Sequence, residues 1–200
     1  MANDRITMCW VDLETTGLDA NEEVPLEVGI KLTDDQGFVI AQNKWLVHDD
    51  TISFKHKVML AVQHPVVGPM HRDSGLWKDL GERELHDYAP IYKTDDLICE
   101  WMNLHDAPAN LPMVGNSIGS LDRPFVIVHF PKFNERLGYR NIDMSTLKEL
   151  CKRHNPELYQ NLLPIIGTKA DAKHRVLEDI DASITEYRAY LDNFLFTEHL

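Results

Sequence analysis

The feature that most constrains this chain is a pair of carboxylates, Asp12 and Glu14, set in the apolar segment Cys-Trp-Val-Asp-Leu-Glu-Thr-Thr-Gly-Leu-Asp of residues 9–19. Side chains alternate along a strand, so residues i and i+2 point to the same face. Two carboxylates held side by side repel each other unless a cation lies between them. Their hard oxygen ligands favour Mg²⁺ or Mn²⁺.

A surface strand with two exposed acids is the alternative interpretation of this pair. The apolar residues before Asp12 and the Thr16-Gly17 step after Glu14 favour a buried strand that ends in a tight loop.

Composition narrows the possible partners. The chain has 200 residues, which suits a single domain over 1–200. Its net charge of −12 argues against tight non-specific binding to long duplexes, but leaves room for a small site where metals and one or two arginines hold a short substrate.

No apolar run approaches the ~20 residues of a membrane span, so we expect no membrane association. Cys9, Cys99 and Cys151 are odd in number and widely spaced, as in reduced thiols of a cytoplasmic protein.

Hydrophobic periodicity predicts an α/β layered domain with a mixed sheet. An antiparallel opening of three strands is expected over 6–13, 25–33 and 38–47, joined by short connections. Short strands are then predicted over 111–114 and 142–144. Helices are predicted over 51–62, over 94–105, from near residue 122, over 145–154 with Ser145 as the N-cap, and over 174–195. The segments 63–74 and 155–173 are predicted to be loops.

Three further features accompany the carboxylate pair. The glycine-bracketed loop 115–119 precedes Asp122 at a helix start, where simple N-capping is the alternative role. His174 and Asp179 are five residues apart, about 140° round a helix, so His174 is expected in the first turn or in the loop before it. The segment 139–145 offers a cation, an aromatic ring and a hydroxyl.

These segments resemble the DEDD 3′→5′ exonucleases with a catalytic histidine, and within them the oligoribonucleases. The likeness spans roughly residues 8–190. It is carried by Trp-Val-Asp-Leu-Glu-Thr-Thr-Gly-Leu-Asp from Trp10, Ser74-Gly75-Leu76, the Gly-Asn-Ser-Ile-Gly loop before Asp122, the segment 139–150, and His174 with Asp179. One extra residue, Ser120 or Leu121, stands between that loop and Asp122.

The resemblance implies an RNase H-like fold, with a mixed five-stranded sheet flanked by helices, and two Mg²⁺ or Mn²⁺ ions per active site. Asp12 would bridge both ions. Glu14 and Asp179 would complete the shell of one, and Asp122 would act at the other. His174 would be the general base for the attacking water.

The same resemblance implies a short single-stranded RNA substrate, degraded to 5′-mononucleotides, and a homodimer. Leu18 would wedge between the two terminal bases, and Tyr139 would reach the partner subunit's site. The other expected substrate contacts are Leu13, Thr15, Gly17 and His71, with Ser117, Arg140 and Ser145 on the far phosphate. A DNA proofreading or repair exonuclease and a non-catalytic nucleic-acid-binding module are the alternatives.

Overall fold

The computed structural model describes residues 5–82, 88–168 and 172–195. Its strands are β1 Met8–Thr15, β2 Pro25–Thr33, β3 Val39–Val47, β4 Tyr88–Ala89, β5 Leu111–Gly115 and β6 Leu137–Asp143. Its helices are α1 Ile52–Gln63, α2 Val67–Asp73, α3 Leu76–Glu82, α4 Ile91–Leu104, α5 Asp122–His129, α6 Pro131–Arg136, α7 Met144–His154, α8 Pro156–Ile166 and α9 Val176–Tyr190, followed by a π-helical turn, Leu191–Leu195.

The strands form one mixed sheet in the order β4-β3-β2-β1-β5-β6. β1, β2 and β3 are antiparallel neighbours, whereas β5 runs parallel to β1 and β6 parallel to β5. This confirms the predicted class of fold and the antiparallel opening. The predicted number of five strands is wrong, because the two-residue β4 adds a sixth by pairing with the end of β3. A strand that short carries no periodicity in the sequence.

The central strand β1 is covered on both faces. Cys9, Val11 and Leu13 pack into the larger core cluster, which includes residues of α4 and α5. Met8 and Trp10 pack on the other face against α9. Since side chains alternate along the strand, Asp12 and Glu14 continue the face that α9 covers.

Helix α9 lies unusually close to the sheet at its first residue. A Cβ atom on Gly29 of β2 would come within 2.6 Å of the Val176 Cβ, a distance that real contacts do not allow. Glycine at position 29 therefore lets the start of α9 rest on the strand beside Asp12, since Asp12 and Gly29 are register partners.

Two segments predicted as loops are helices, α2 and α8. The mistake has one physical cause: proline favours the first turn of a helix as well as a break. Pro156 occupies the first turn of α8, and Asn155 caps it by accepting a hydrogen bond from the Leu158 N–H. Pro69 likewise lies in the first turn of α2. In the described part of the chain, none of the helices has the length and apolarity to cross a membrane.

The predicted N-cap of α7 is also wrong. Asp143 precedes the helix, and its carboxylate accepts the N–H of Ser145 at 2.9 Å. Ser145 is therefore the second residue of α7, with its hydroxyl free for contacts outside the helix. The last helix begins at Val176 rather than at 174, which leaves His174 on the preceding loop.

Candidate active site

Asp12 and Glu14 lie near the end of β1, where the pairing with β2 shifts register after Glu14. The strand then turns sharply, and the Thr15 hydroxyl donates to the carbonyl oxygen of Gly17 at 2.5 Å. The tip of this loop presents Leu18, whose surface is 81% exposed. The buried strand and tight loop predicted from the sequence are both present.

Asp122 reaches this strand from α5. Its buried carboxylate accepts a hydrogen bond from the backbone N–H of Leu13, with Oδ1 3.0 Å from the nitrogen. That bond crosses from α5 to the point on β1 between the two other acids. Asp122 therefore joins the carboxylate pair, and this contact distinguishes it from a residue that only caps its own helix.

The loop before α9 brings His174 to the same place. His174 has a φ of 53°, in the left-handed region, and the backbone N–H groups on either side of it bond to Asp179. The Asp179 carboxylate accepts from Lys173 N at 2.9 Å and from Arg175 N at 3.2 Å. The ligand atoms of Glu14, His174 and Asp179 all lie within 4.8 Å of one another. The loop conformation thus brings His174 and Asp179 to the same site, which a regular helix could not do because the two residues would lie about 140° apart.

Electrostatics set these acids apart from ordinary carboxylates. Withdrawal from water, followed by repulsion from Asp122, Glu14 and Asp179, raises the pKa of Asp12 well above its usual value. Burial is also the main reason that the pKa values of Glu14 and Asp122 rise to about 8. A divalent cation would offset both causes, because it supplies positive charge where water is excluded. The donor set, carboxylate oxygens beside one imidazole, suits a divalent metal ion.

His71 lies in the core next to Thr15 and Glu14. Its side chain is fully buried, its Nε2 donates to the carbonyl oxygen of Thr15 at 2.9 Å, and its Nδ1 lies 3.5 Å from the Glu14 carboxylate. The fully buried ring therefore lies beside Glu14, and its predicted contact with a substrate stays a prediction. The side chains of Leu13 and Thr15 are buried as well, so a substrate contact from these residues falls to backbone atoms.

Two of the predicted phosphate contacts lie side by side. The hydroxyls of Ser117 and Ser145 are 3.1 Å apart, and the Ser145 Oγ also accepts the Ser117 N–H at 2.9 Å. Asp143 orders both residues, since its Oδ1 accepts the N–H of Ser117 at 3.1 Å and that of Ser145 at 2.9 Å. Asn116 links this loop to α9 through the Ser183 hydroxyl at 2.8 Å.

Tyr139 and Arg140 lie on β6, the edge strand of the sheet. The Arg140 guanidinium stacks over the Tyr139 ring, 4.5 Å from its centroid. The tyrosine is 79% exposed. An aromatic ring presented to solvent at a sheet edge is available to a partner or a ligand.

Sequence reasoning missed three charged residues around the site: Glu27, Arg175 and Asp143. Glu27 occupies a position between the alternating apolar residues of β2, where a polar side chain is ordinary, and only the strand register reveals that it stands directly opposite Glu14. Arg175 is adjacent to His174, and Asp143 lies inside the segment 139–145 that was singled out for other residues.

The fold matches solved structures of exonuclease I. E. coli exonuclease I in complex with a 5cy-dT13 oligonucleotide superposes on 96% of this chain with a TM-score of 0.62 and 13% sequence identity. Exonuclease I from Methylocaldum szegediense gives 94% and a TM-score of 0.63 at 15% identity. The chain spans 41% of the length of each. The chain therefore shares the RNase H-like fold of these structures.

Sequence relatives cover nearly the whole chain. It is 32% identical to the oligoribonuclease of Marinobacter nauticus over 94% of this chain and 95% of that protein. Identity to the oligoribonuclease of Colwellia psychrerythraea is 33%, over 97% and 98%, and to a probable oligoribonuclease of Dictyostelium discoideum 34%, over 92% and 87%. No family model matches the sequence. On these relationships, the chain belongs to the oligoribonuclease family.

Proposed function

We propose that this protein is a metal-dependent 3′→5′ exoribonuclease, which degrades short oligoribonucleotides to 5′-mononucleotides. One observation carries the proposal: the sheet, α5, the loop before α9 and the first turn of α9 bring Glu14, Asp122, His174 and Asp179 together with Asp12 at one end of β1. That convergence occurs in a member of the oligoribonuclease family.

Four acids would hold two Mg²⁺ or Mn²⁺ ions. Asp12, Glu14 and Asp179 would hold one ion, and Asp12 and Asp122 would hold the other. When bound, such ions activate water and neutralise the charge that develops on the phosphate. Their presence also relieves the repulsion that the acids experience in their buried surroundings.

The chain's own residues supply the proton transfer and the geometry. His174 accepts a proton from the attacking water, a role that suits an imidazole near neutral pH. Asp179 holds the loop on both sides of His174 through the N–H groups of Lys173 and Arg175. The water oxygen forms a bond to phosphorus, and the bond to the 3′ oxygen of the preceding nucleotide breaks. That oxygen takes up a proton from solvent and leaves as a 3′-hydroxyl, and a 5′-mononucleotide is released.

Substrate length would be set at the outer side of the site. Leu18 would contact the terminal bases, and Ser117, Arg140 and Ser145 would bind the far phosphate. Tyr139 would complete the site of a partner subunit in a homodimer. The net charge of −12 supports this assignment, because an enclosed site for short RNA needs no basic track for a long chain. A cytoplasmic location and a single domain over 1–200 remain predictions.

A DNA exonuclease is the second candidate. The E. coli exonuclease I structures that share the fold contain DNA oligonucleotides. Fold likeness alone does not transfer a substrate, and the family relationship favours RNA.

A labelled pentaribonucleotide tests the function. With a 5′ label, we expect products that shorten from the 3′ end in Mg²⁺ or Mn²⁺, release of 5′-mononucleotides, and no reaction in EDTA. Equal or faster cleavage of the matching DNA pentamer would favour the second candidate. Binding of RNA without cleavage in either metal would reduce the protein to a binding module.

A further inference from the structure

Arg175 follows the proposed general base and ties its loop to two other elements. The guanidinium makes a two-point bond to Glu27 of β2, with Nε 3.1 Å from Oε2 and Nη2 3.0 Å from Oε1. The same Nη2 donates to Asp79 of α3 at 2.7 Å, and Nη1 donates to the Ser74 carbonyl oxygen at 3.4 Å. A single side chain therefore anchors the loop to the sheet and to the α2–α3 region.

The Glu27 anchor is a buried one. Glu27 is fully buried and stands opposite Glu14 in the strand register, an arrangement that places two acids side by side. Its charge is matched by Arg175 and by Lys44, whose Nζ is 2.9 Å away. The Arg175 side chain is only 15% exposed. Buried pairs with good geometry fix a conformation much more firmly than exposed ones, since breaking one leaves an unpaired charge out of water.

The anchor acts on the backbone of His174. A non-glycine residue at positive φ persists only where its surroundings hold it. The Asp179 carboxylate accepts the N–H groups of Lys173 and Arg175, the residues before and after His174. After His174, the Arg175 side chain is also bonded to Glu27 of β2, and Val176 rests on Gly29.

We propose that Arg175 is a positioning residue, which holds the His174 loop over the carboxylates through its two-point bond to Glu27. The inference rests on the proposed function only for the role of His174 as base. We expect the loop at 173–175 to lose its fixed conformation when Arg175 no longer makes its two-point bond to Glu27.

Arg175→Lys tests this without any turnover, and Arg188→Lys is the matched control. Arg188 lies in α9, the helix that follows the loop, and donates to the carbonyl oxygens of Gln36 and Gly37. In metal-free protein, we expect amide hydrogen exchange at positions 173 and 175 to rise at least ~10-fold in Arg175→Lys. The control should leave these amides unchanged. Unchanged exchange at both positions in Arg175→Lys would overturn the proposal.

Kinetics then separate positioning from general stability. Arg175→Lys should lower kcat by about 10- to 100-fold, with KM and the calorimetric affinity for Mn²⁺ within about twofold of wild type. An equal loss of kcat in Arg188→Lys at an equal melting temperature would contradict positioning. If wild type itself fails to hydrolyse RNA, the proposed function falls, and hydrogen exchange still decides the role of Arg175.

A second variant covers the case in which Arg175→Lys does not fold. Glu27→Gln combined with Arg175→Gln removes both charges of the buried pair together, so no unpaired charge from that pair stays in the sheet. We expect the same rise in exchange at 173 and 175, since two amides cannot reproduce the guanidinium fork. Wild-type exchange in this folded variant would also overturn the proposal.

Discussion

Two regions of the site differ in how they are held. We define the carboxylate centre as Asp12, Glu14, Asp122, His174 and Asp179, and the recognition rim as Leu18, Ser117, Tyr139, Arg140 and Ser145. Bonds within one chain fix the centre, such as those from Asp122 to Leu13 and from Asp179 to the loop at 173–175. In the rim, Leu18 and Tyr139 are 81% and 79% exposed.

The difference follows from the free energy of burying or exposing the side chains of each region. Buried acids are unfavourable unless their surroundings or a cation compensate them, so the centre must be built precisely by the fold. Exposed apolar and aromatic side chains cost the single chain little, but they acquire fixed positions only against a substrate or another subunit. On the proposed function, one chain would assemble the metal and proton-transfer groups, whereas the exposed Leu18 and Tyr139 would gain fixed positions only against a substrate or a second subunit.

The largest expected effect is at the centre, in Asp12→Asn. Turnover should fall by ~10³-fold or more, because a neutral amide cannot bridge two cations as a carboxylate does. The metal-free fold should survive or melt at a higher temperature, since repulsion among the acids falls. The exposed Asp35→Asn, in the turn between β2 and β3, is the control and should behave as wild type. Near wild-type hydrolysis by Asp12→Asn in Mg²⁺ would refute the metal assignment.

His174→Ala should follow, with turnover reduced by ~10²–10⁴-fold, because a general base is lost. Calorimetry should still detect Mn²⁺, since the carboxylates remain. His56→Ala, which removes an exposed histidine of α1, should change neither quantity. A mutant that loses Mn²⁺ but keeps turnover at saturating metal would make His174 a ligand.

At the rim, Tyr139→Ala should lower turnover of dinucleotides by about 100-fold, because the ring closes a site of few contacts. Tyr92 is 72% exposed on α4, so Tyr92→Ala is the matched control and should have no effect. Loss of activity in both variants would point to general damage instead of a closed site.

Subunit mixing asks whose site Tyr139 completes. Asp12→Asn and Tyr139→Ala chains, mixed and allowed to exchange, should regain about a quarter of wild-type activity, because half the dimers are mixed and each has one intact site. The absence of recovery after exchange, or a fully active monomer by light scattering, would leave the rim to a single chain.

The smallest effect is on stability against pH without metal. The raised pKa values of Asp12, Glu14 and Asp122 mean that the folded state binds more protons than the unfolded state between about pH 4.5 and 8. Stability is therefore greatest at the acidic end and falls as pH rises towards 8. We expect the melting temperature to drop by several degrees over this window, and Mg²⁺ to restore it near pH 8. A melting temperature that rises from pH 5 to 8 without metal would contradict these pKa shifts.

The two regions also differ in how far the sequence predicts them. Asp12 and Glu14 follow from a period of two, and the angle between His174 and Asp179 excludes a shared helix face, so the loop position of His174 could be anticipated. The contacts that support these residues could not be predicted from the sequence. That Glu27 faces Glu14, and that Arg175 reaches Glu27, depends on strand register and on contacts 148 residues apart in sequence.

Helix boundaries failed where local signals conflict. Prolines at 69 and 156 fit both a loop and a helix start, and only packing decides between them. The burial of His71 beneath Glu14 likewise has no trace in its own neighbourhood. Short sequence motifs thus predict the residues of the carboxylate centre, whereas the residues that support the centre can be found only in the folded structure.

The rate of hydrolysis against RNA length tests the central claim most directly. With equal concentrations of 3′ ends in Mg²⁺, kcat/KM for chains of two, five and twenty nucleotides should fall steadily, by at least ~10-fold from the shortest to the longest, because a covered rim excludes longer chains. Leu18→Ala should weaken this preference, whereas Leu104→Ala, which removes a leucine of similar exposure, should preserve it. Equal or faster cleavage of the twenty-nucleotide chain would contradict an enclosed site for short RNA.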